Sequence, residues 1–297
     1  MMAAIRRWFR DPPPALGFEL SESGIAMGRP GAPPRMVFQP LEPGVLSVSP
    51  LKDNVVKAEE LAAQVRALAG ARESRKRHDA VLILPDGSVR VLVLDFDAFP
   101  SDPAEQLSLV QFRIRKGLPF DLDSAALSYA PQPSNGKRMD VVAAVAPLEI
   151  VARYEALFRA GGLVPSWVTT STLAALELVR ESGVAVMVKR SGRFLTISVL
   201  ADGALKLLRS IELVELSLSE VLTPLYPTVA YVEDQLGVRP DKLLLCGFGS
   251  GTEELQRACE RELAAPAEAL TSRYGEVQEH NAGLLGWLES LISGGGR

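Results

Sequence analysis

The feature that most constrains this chain is a pair of apolar runs in its second half, separated by a tight polar turn. Residues 184–188 and 194–200 are typical of β-strands, and the composition of the five residues between them favours a hairpin. Asp202-Gly203 is a second turn signal, and a third strand-like run follows at 204–209. The sequence therefore predicts three consecutive antiparallel strands in this region.

A similar unit occurs near the start of the chain. Residues 15–20 read as a strand, 21–24 (Ser-Glu-Ser-Gly) as a turn and 25–29 as a second strand. Each of the two strand-turn-strand units is followed by helix-like segments. This repetition predicts a duplicated α/β architecture.

Length and composition limit the class of protein. A chain of 297 residues with 47% hydrophobic residues can form one large domain or two modest ones. The net charge is −4 with acids and bases interspersed, which argues against nucleic acid as the principal partner. The two cysteines, Cys246 and Cys259, imply neither a disulfide framework nor a zinc site, and a reducing compartment fits them best.

The sequence predicts a cytoplasmic protein whose association with a membrane is indirect. It contains no long uninterrupted apolar run, and its N-terminus lacks the core of a signal peptide. Residues 1–14 combine arginines with Trp8 and Phe9; a disordered terminus is the favoured interpretation, and a basic amphipathic arm on an anionic membrane is the alternative. The basic run 72–78 is expected to be solvated, with phosphate contact as the alternative.

Residues 89–162 have an element order of their own. A strand at 89–94 precedes a helix that opens at Asp102-Pro103, and strands at 127–130 and 139–146 precede a second helix that starts at Pro147. The apolar face of the first helix is expected to contain Leu107, Val110 and Ile114. The order strand, helix, strand, strand, helix predicts a compact α+β unit.

Further elements flank this unit. The continuous apolar run 80–84 predicts a strand buried on both faces. Ser171 or Thr172 is expected to cap the next helix, and the helical pattern at 218–232 predicts a kinked helix or two pieces because it contains prolines. A strand at 242–246 leads into the glycine-rich turn 247–251.

Four motifs occur in a recognisable order. They are LGFELS at 16–21, GLPFDLD at 117–123 before Tyr129, GGLVP at 161–165, and LLLCGFGS at 243–250. Together with the order of elements, they resemble the PilM family, the actin-like cytoplasmic proteins of type IV pilus assembly. The resemblance spans nearly the whole chain.

The resemblance implies an α/β protein with the actin-like (ASKHA) fold. Two duplicated, ribonuclease-H-like lobes would form the core, and a small α+β subdomain, similar to the SHS2-like subdomain of the cell-division protein FtsA, would be inserted in the first lobe. The implied division is a basic arm at 1–14, the first part of lobe 1 at 15–88, the inserted subdomain at 89–165, and the rest of lobe 1 with lobe 2 at 166–297.

The resemblance also implies a role and partners. The chain would bind the N-terminal cytoplasmic tail of a PilN-like membrane protein, in a groove beside the inserted subdomain. It would thereby serve as an adaptor in the inner-membrane assembly platform of the pilus or of a related type II-like secretion system. The pilus assembly ATPase and the platform proteins are further partners that the resemblance suggests.

In actin-like ATPases, glycine turns cradle the nucleotide phosphates and a carboxylate from each lobe orients Mg²⁺. The positions that the resemblance assigns to this site are Glu19, Ser21, Glu22, Ser23, Lys189, Ser191, Gly192, Gly247, Gly249 and Ser250. The pattern is degraded in each part. Glu19 and Ser21 stand where the family has Asp and Gly, Lys189 and Ser191 replace the same pair in the second hairpin, and Phe248 is expected to crowd the adenine or ribose.

A lysine in place of a carboxylate reverses the charge beside the metal on which hydrolysis depends. We therefore expect no catalytic residue, no metal and no required cofactor, while weak binding of ATP with Mg²⁺ stays open. Lys189, Arg190 and Ser191 would hold an anion or form an ordinary solvated turn. Glu19 reads equally well as a surface acid at a strand end.

The favoured hypothesis is a pseudo-ATPase that acts as an adaptor. One alternative is an active ATPase or kinase of the same superfamily, in which Glu19 still serves the metal. A second alternative is the cytoplasmic part of a GspL-like secretion protein. Such a protein is expected to continue into a transmembrane helix, which this sequence does not predict.

Overall fold

A computed structural model describes residues 14–70, 78–133, 138–180 and 182–293. The predictions for the N-terminal arm and for most of the basic run lie outside the described residues. Within these four ranges, no helix is both long and apolar enough to cross a bilayer.

The first predicted hairpin forms the middle of a five-stranded sheet. β1 (Leu16–Ser21) pairs antiparallel with β2 (Gly24–Arg29), which pairs with the edge strand β3 (Arg35–Pro40). On its other side β1 runs parallel to β4 (His78–Leu84), and β4 runs parallel to β8 (Leu163–Thr170). The order is thus β3-β2-β1-β4-β8. The apolar run 80–84 is buried throughout, as predicted.

Two helices cover one face of this sheet. α1 (Ala58–Ala69) contributes Leu61 and Val65 to a core that also holds Phe18 of β1. A later helix contributes Phe158, whose ring meets the ring of Phe18 edge-on at 5.1 Å. The apolar spacing of α1 therefore reflects packing against the sheet.

A separate three-stranded sheet lies between β4 and β8 in sequence. β5 (Arg90–Phe96) and β6 (Ala125–Pro131) both pair antiparallel with the central β7 (Met139–Pro147). α2 (Pro103–Arg115) packs on this sheet through Val110 and Ile114, which are buried. Leu107 lies two turns before Ile114 on the same side of the helix, and its side chain is 38% exposed.

The second lobe repeats the topology of the first. β9 (Val184–Ser191) and β10 (Phe194–Ala201) form the predicted hairpin, and β11 (Ala204–Glu212) pairs antiparallel with β10. β12 (Lys242–Cys246) runs parallel to β9, and β13 (Ala267–Ala269) runs parallel to β12. The order β11-β10-β9-β12-β13 matches that of the first sheet strand by strand. The predicted duplication is confirmed.

The helices complete the two lobes. Those not yet named are α3 (Leu148–Ala160), α4 (Ser171–Ala175), α5 (Leu218–Leu222), α6 (Leu225–Leu236), α7 (Thr252–Leu263) and α8 (Ala282–Ser293). The predicted helix at 218–232 is in two pieces, because Pro224 separates α5 from α6. Thr170 caps α4, accepting a bond from the backbone N–H of Leu173 at 3.2 Å, so the prediction of Ser171 or Thr172 as the cap is wrong.

The last helix returns to the first lobe and covers the second face of its sheet. Trp287 of α8 is 1% exposed and lies over Gly17 of β1, while Leu284 lies over Gly28 of β2. A Cβ atom at position 17 would come within 2.3 Å of the Trp287 ring. Glycine at this position therefore allows the helix to approach the sheet closely.

This close approach predicts the effect of adding one methyl group. We expect Gly17→Ala to lower the free energy of unfolding by about 1–3 kcal/mol, because the overpacked ring must move. Urea denaturation of the purified chain measures it. Gly251→Ala is the matched control, since no atom lies within 4 Å of its added Cβ; equal losses in the two variants would contradict the packing of Trp287.

Candidate functional site

The two duplicated hairpins bring their turns together between the lobes. The first turn contains Glu22 and the second contains Gly192 and Arg193. The Glu22 carboxylate accepts a bond from the backbone N–H of Val48 at 2.6 Å, and the Arg193 guanidinium donates to the carbonyl of Val48 at 2.6 Å. Arg193 also lies 3.9 Å from the Glu22 carboxylate. The two turns are thus linked to each other through Val48.

Beneath the turns, Lys189 projects from β9 into the first lobe. Its side chain is 0% exposed, and its Nζ donates to Oδ2 of Asp86 at 2.9 Å. Asp86 lies in a single 3-10 turn that joins β4 to β5. Its carboxylate also accepts bonds from the backbone N–H of Thr172 at 2.7 Å and from the Thr172 hydroxyl at 2.6 Å. One carboxylate therefore ties the second lobe to two segments of the first.

Glu19 holds in the first lobe the place that Lys189 holds in the second. Glu19 pairs with the parallel strand at Ile83, and Lys189 pairs with the equivalent strand at Cys246. The Glu19 side chain is buried and accepts bonds from the Ser171 hydroxyl and, at 2.7 Å, from the backbone N–H of Leu284. The interpretation of Glu19 as a surface acid is therefore wrong.

Glu19, Asp86 and Lys189 together form what we call the central charge cluster. Burial raises the pKa of Glu19, and the attraction of Lys189 only partly opposes this effect. Burial by itself would lower the pKa of Lys189, but the negative charge of its neighbours, Asp86 above all, outweighs this effect, so the pKa is raised and the ammonium is retained. Burial raises the pKa of the Cys246 thiol to about 12, so that thiol stays neutral. The ammonium is thus paired with Asp86, and Glu19 takes up a proton more readily than an exposed carboxyl.

The predicted roles of the second hairpin can now be compared with its contacts. Lys189 is buried and bonded to a carboxylate, so the prediction of an ordinary solvated turn is wrong for this residue. Arg190 donates from Nε to the carbonyl of Gly247 at 2.8 Å and forms an ion pair with Glu279 at 2.8 Å. Both cations that were expected to hold an anion therefore already face protein acceptors.

A small cleft remains between the turns. Its lining residues are Ser21, Glu22, Ser23, Val48, Pro85, Asp86, Gly87, Ser191, Gly192 and Phe194. It has room for about one or two waters. The Phe194 ring lies so close to Gly87 that a Cβ there would come within 2.5 Å of it. Five of the ten predicted site residues thus line this cleft, but they enclose little space.

The third predicted element, the turn at 247–250, lies apart from the lining of this cleft. Gly247 has a positive φ of 84°, and a Cβ at this position would lie 2.2 Å from the carbonyl oxygen of Arg190 and 3.2 Å from the Cα of Glu279. Glycine is therefore required here by the protein's own backbone. Gly249 and Ser250 are exposed. The side chain of Phe248 is partly buried and packs against the core of the second lobe. Its crowding of an adenine or ribose stays a prediction.

Sequence reasoning missed Asp86 as a site residue. Pro85-Asp86-Gly87 reads as a turn, and it is one, but the turn faces the second lobe. A signal was present, because Asp86 directly follows a buried parallel strand, and ligands of open α/β sheets gather at the carboxyl ends of such strands. In the part of the chain that the structure describes, no group of three or more His, Cys, Asp or Glu side chains could hold a metal ion.

The raised pKa of Glu19 predicts a pH-dependent stability. A carboxyl whose pKa is raised on folding stabilises the protein fully below its unfolded pKa, near 4.5, and loses this contribution as the pH rises through the folded pKa. Glu19→Gln resembles the neutral acid and lacks this loss. We therefore expect its free energy of unfolding to increase relative to wild type as the pH rises above the unfolded pKa, near 4.5.

Urea denaturation at several pH values measures this change. If the difference between Glu19→Gln and wild type were the same at every pH, Glu19 would have an ordinary pKa.

Comparison with known proteins agrees with this architecture. No protein-family model matches the chain, and no curated protein sequence is similar to it. Among solved structures, a PilM-PilN type IV pilus biogenesis complex is similar with a TM-score of 0.70 at 20% identity, covering 94% of this chain and 98% of the other. A protein of unknown function with an actin-like ATPase fold from Bacteroides thetaiotaomicron has a TM-score of 0.56 at 14% identity, covering 91% and 94%.

A third similar structure is the cytoplasmic domain of EpsL, an inner-membrane component of the type II secretion system of Vibrio cholerae. Its TM-score is 0.51 at 14% identity, covering 93% of this chain and 94% of the other. At such identities these similarities establish the fold. The resemblance to PilM is confirmed at that level, and the chain has the actin-like fold that its sequence predicts.

Proposed function

We propose that this protein is a non-catalytic adaptor of the inner-membrane assembly platform of a type IV pilus or a related secretion system. It binds the N-terminal cytoplasmic tail of a PilN-like membrane protein, and its association with the membrane runs through such partners. The observation that carries the non-catalytic part is the ion pair between Lys189 and Asp86.

The ion pair opposes nucleotide hydrolysis for an electrostatic reason. An actin-like ATPase needs carboxylates to orient Mg²⁺ and its waters. The carboxylate of Asp86 is already engaged by an ammonium 2.9 Å away and by Thr172, and this fixed positive charge would repel a divalent cation. Both carboxylate oxygens of Glu19 likewise accept hydrogen bonds from protein donors. These two residues of the predicted nucleotide site region thus favour contacts within the protein over a metal ion.

The space between the hairpins supports the same conclusion. A triphosphate would have to enter where the two turns are linked through Val48 and where Phe194 packs on Gly87. Both contacts join the first lobe to the second. Nucleotide binding would therefore require the lobes to separate and these contacts to break.

The partner assignment rests on the similarity to the PilM-PilN complex, which extends over nearly the whole of both chains. The similarity to the EpsL cytoplasmic domain favours a second candidate, a GspL-like component of a secretion platform. In both cases the chain binds a segment of another platform protein and performs no chemistry. An active ATPase remains the alternative from a different class.

Nucleotide binding separates the adaptor from the ATPase. We expect isothermal titration of the purified chain with Mg-ATP, up to about 1 mM, to give no binding heat, because an ammonium occupies the place of the metal ion. Phosphate release should equal the rate without protein. An active actin-like ATPase, measured in parallel, is the positive control; micromolar affinity with turnover would overturn the non-catalytic assignment.

Peptide binding tests the partner. A synthetic peptide copying the N-terminal residues of a PilN-like protein from the same organism should bind with a roughly micromolar Kd, as expected for a short extended segment in a groove. A scrambled peptide of the same composition is the control. No binding of the native peptide at several hundred micromolar would contradict the pilus assignment, and binding of the equivalent segment of a secretion-system protein in its place would favour the GspL-like candidate.

A further inference from the structure

The segment that carries Asp86 also connects three parts of the fold. Residues 85–89 join β4 of the first lobe to β5, the first strand of the three-stranded sheet. Asp86 is bonded to Lys189 of the second lobe, and Gly87 lies under Phe194 of the same lobe. Ser88 donates its hydroxyl to Oδ1 of Asn54 in the first lobe at 2.6 Å. We call residues 85–89 the linker.

The three-stranded sheet is also bound to the second lobe by polar contacts to β11. The Gln132 side chain donates to the carbonyl of Leu205 at 2.6 Å and accepts from its N–H at 2.7 Å. Lys206 forms an ion pair with Asp140 at 2.6 Å. The sheet is therefore covalently part of the first lobe's chain but rests on β11 of the second lobe. Its position depends on how the two lobes are arranged.

We propose that the Lys189 ammonium is a built-in cation that fixes the two lobes and the linker in one arrangement, so that the three-stranded sheet is positioned without nucleotide or metal. The cation of an actin-like ATPase comes with the nucleotide and leaves with it. Lys189 is part of β9 and remains in place. The arrangement of the lobes is thus a constant property of this chain. This inference does not depend on the identity of the partner.

The physical basis is the burial of the charges. Lys189, Asp86 and Glu19 are all at most 5% exposed. A buried ion pair adds little to stability compared with apolar packing, but displacing one member without admitting water leaves two uncompensated charges in a low dielectric. Small shifts of the linker relative to β9 are therefore strongly unfavourable. Complete separation of the lobes would hydrate the charges, and the links of Glu22 and Arg193 to Val48 oppose it.

The acids of the cluster face one ammonium and several hydrogen-bond donors of the protein. Lys189 donates to Asp86 at 2.9 Å, and Glu19 accepts bonds from Ser171 and from the backbone N–H of Leu284. Thr172 and Ser171 supply the remaining donors to the two acids. A monovalent cation on a fixed stem is sufficient for this set of groups.

Hydrogen-exchange mass spectrometry of the full chain tests the proposal. Lys189→Met keeps the length of the side chain and removes the charge, and Asp86→Asn removes the opposite charge. We expect each variant to exchange backbone amides about tenfold faster in the linker, in β5 and in the two hairpin turns. Lys242→Met is the control: it breaks a lysine–carboxylate ion pair, with Glu268 at 3.0 Å, that lies within the second lobe. Its linker and hairpin turns should exchange as in wild type.

A single variant leaves one buried charge without its partner and could fail to fold for that reason. The double variant Asp86→Asn/Lys189→Met removes both charges, so it can be measured in that case. Faster exchange of the linker and turns in the double variant, with β12 and α7 unchanged, would support the proposal. Wild-type exchange in these segments, in either the single or the double variants, would show that Phe194, Val48 and Asn54 position the linker without the ammonium, and would overturn it. Addition of Mg-ATP to wild type should leave the exchange of these segments unchanged; protection on addition would also overturn it.

Discussion

The structure depends on a contact between an ammonium from one lobe and a carboxylate from the other. Lys189 and Asp86 are both buried, so neither is compensated by water, and each needs the other in place. Asp86 stands on the linker to the three-stranded sheet, and Thr172 stands at the start of α4, against which α8 packs. One ion pair thereby joins the second lobe to the linker and to α4, the helix against which α8 packs.

The duplicated topology explains why this contact lies where it does. Glu19 and Lys189 occupy equivalent positions in equivalent strands. Each is in register with a residue of the neighbouring parallel strand of its own sheet. When two such lobes face each other, these positions converge on the gap between the hairpins. Two carboxylates at these positions would suit a divalent cation. When one of them is a lysine, the positive charge comes from the protein's own side chain. The fold thus allows both a nucleotide site and an internal ion pair, and side-chain charge decides between them.

Much of the fold was predictable because it follows from local patterns. The strand-turn-strand units, the run 80–84, the element order of 89–162 and the break at Pro224 all follow from alternation, turn chemistry and proline geometry. β8 contains strand-forming residues at 167–170, but Pro165 after Gly161-Gly162 favours a turn, and parallel pairing to β4 decides the strand. β13 (Ala-Glu-Ala) has little local strand signal, and parallel pairing to β12 makes it a strand. The cap of α4 was assigned to Ser171 or Thr172 because nothing local shows that these hydroxyls bind Glu19 and Asp86 instead.

The sequence by itself determined that two related hairpins exist, that a lysine stands where the resemblance expects an acid, and that the chain has an actin-like order of elements. These are properties of short segments, and neighbouring residues decide them. Only the tertiary structure decided that Lys189 is bonded to Asp86, that Arg190 faces Gly247 and Glu279, and that the turns are joined through Val48. Such pairings join residues far apart in the chain, and they form only when both lobes fold and their faces meet, because a buried charge takes whichever partner the packed fold places within reach.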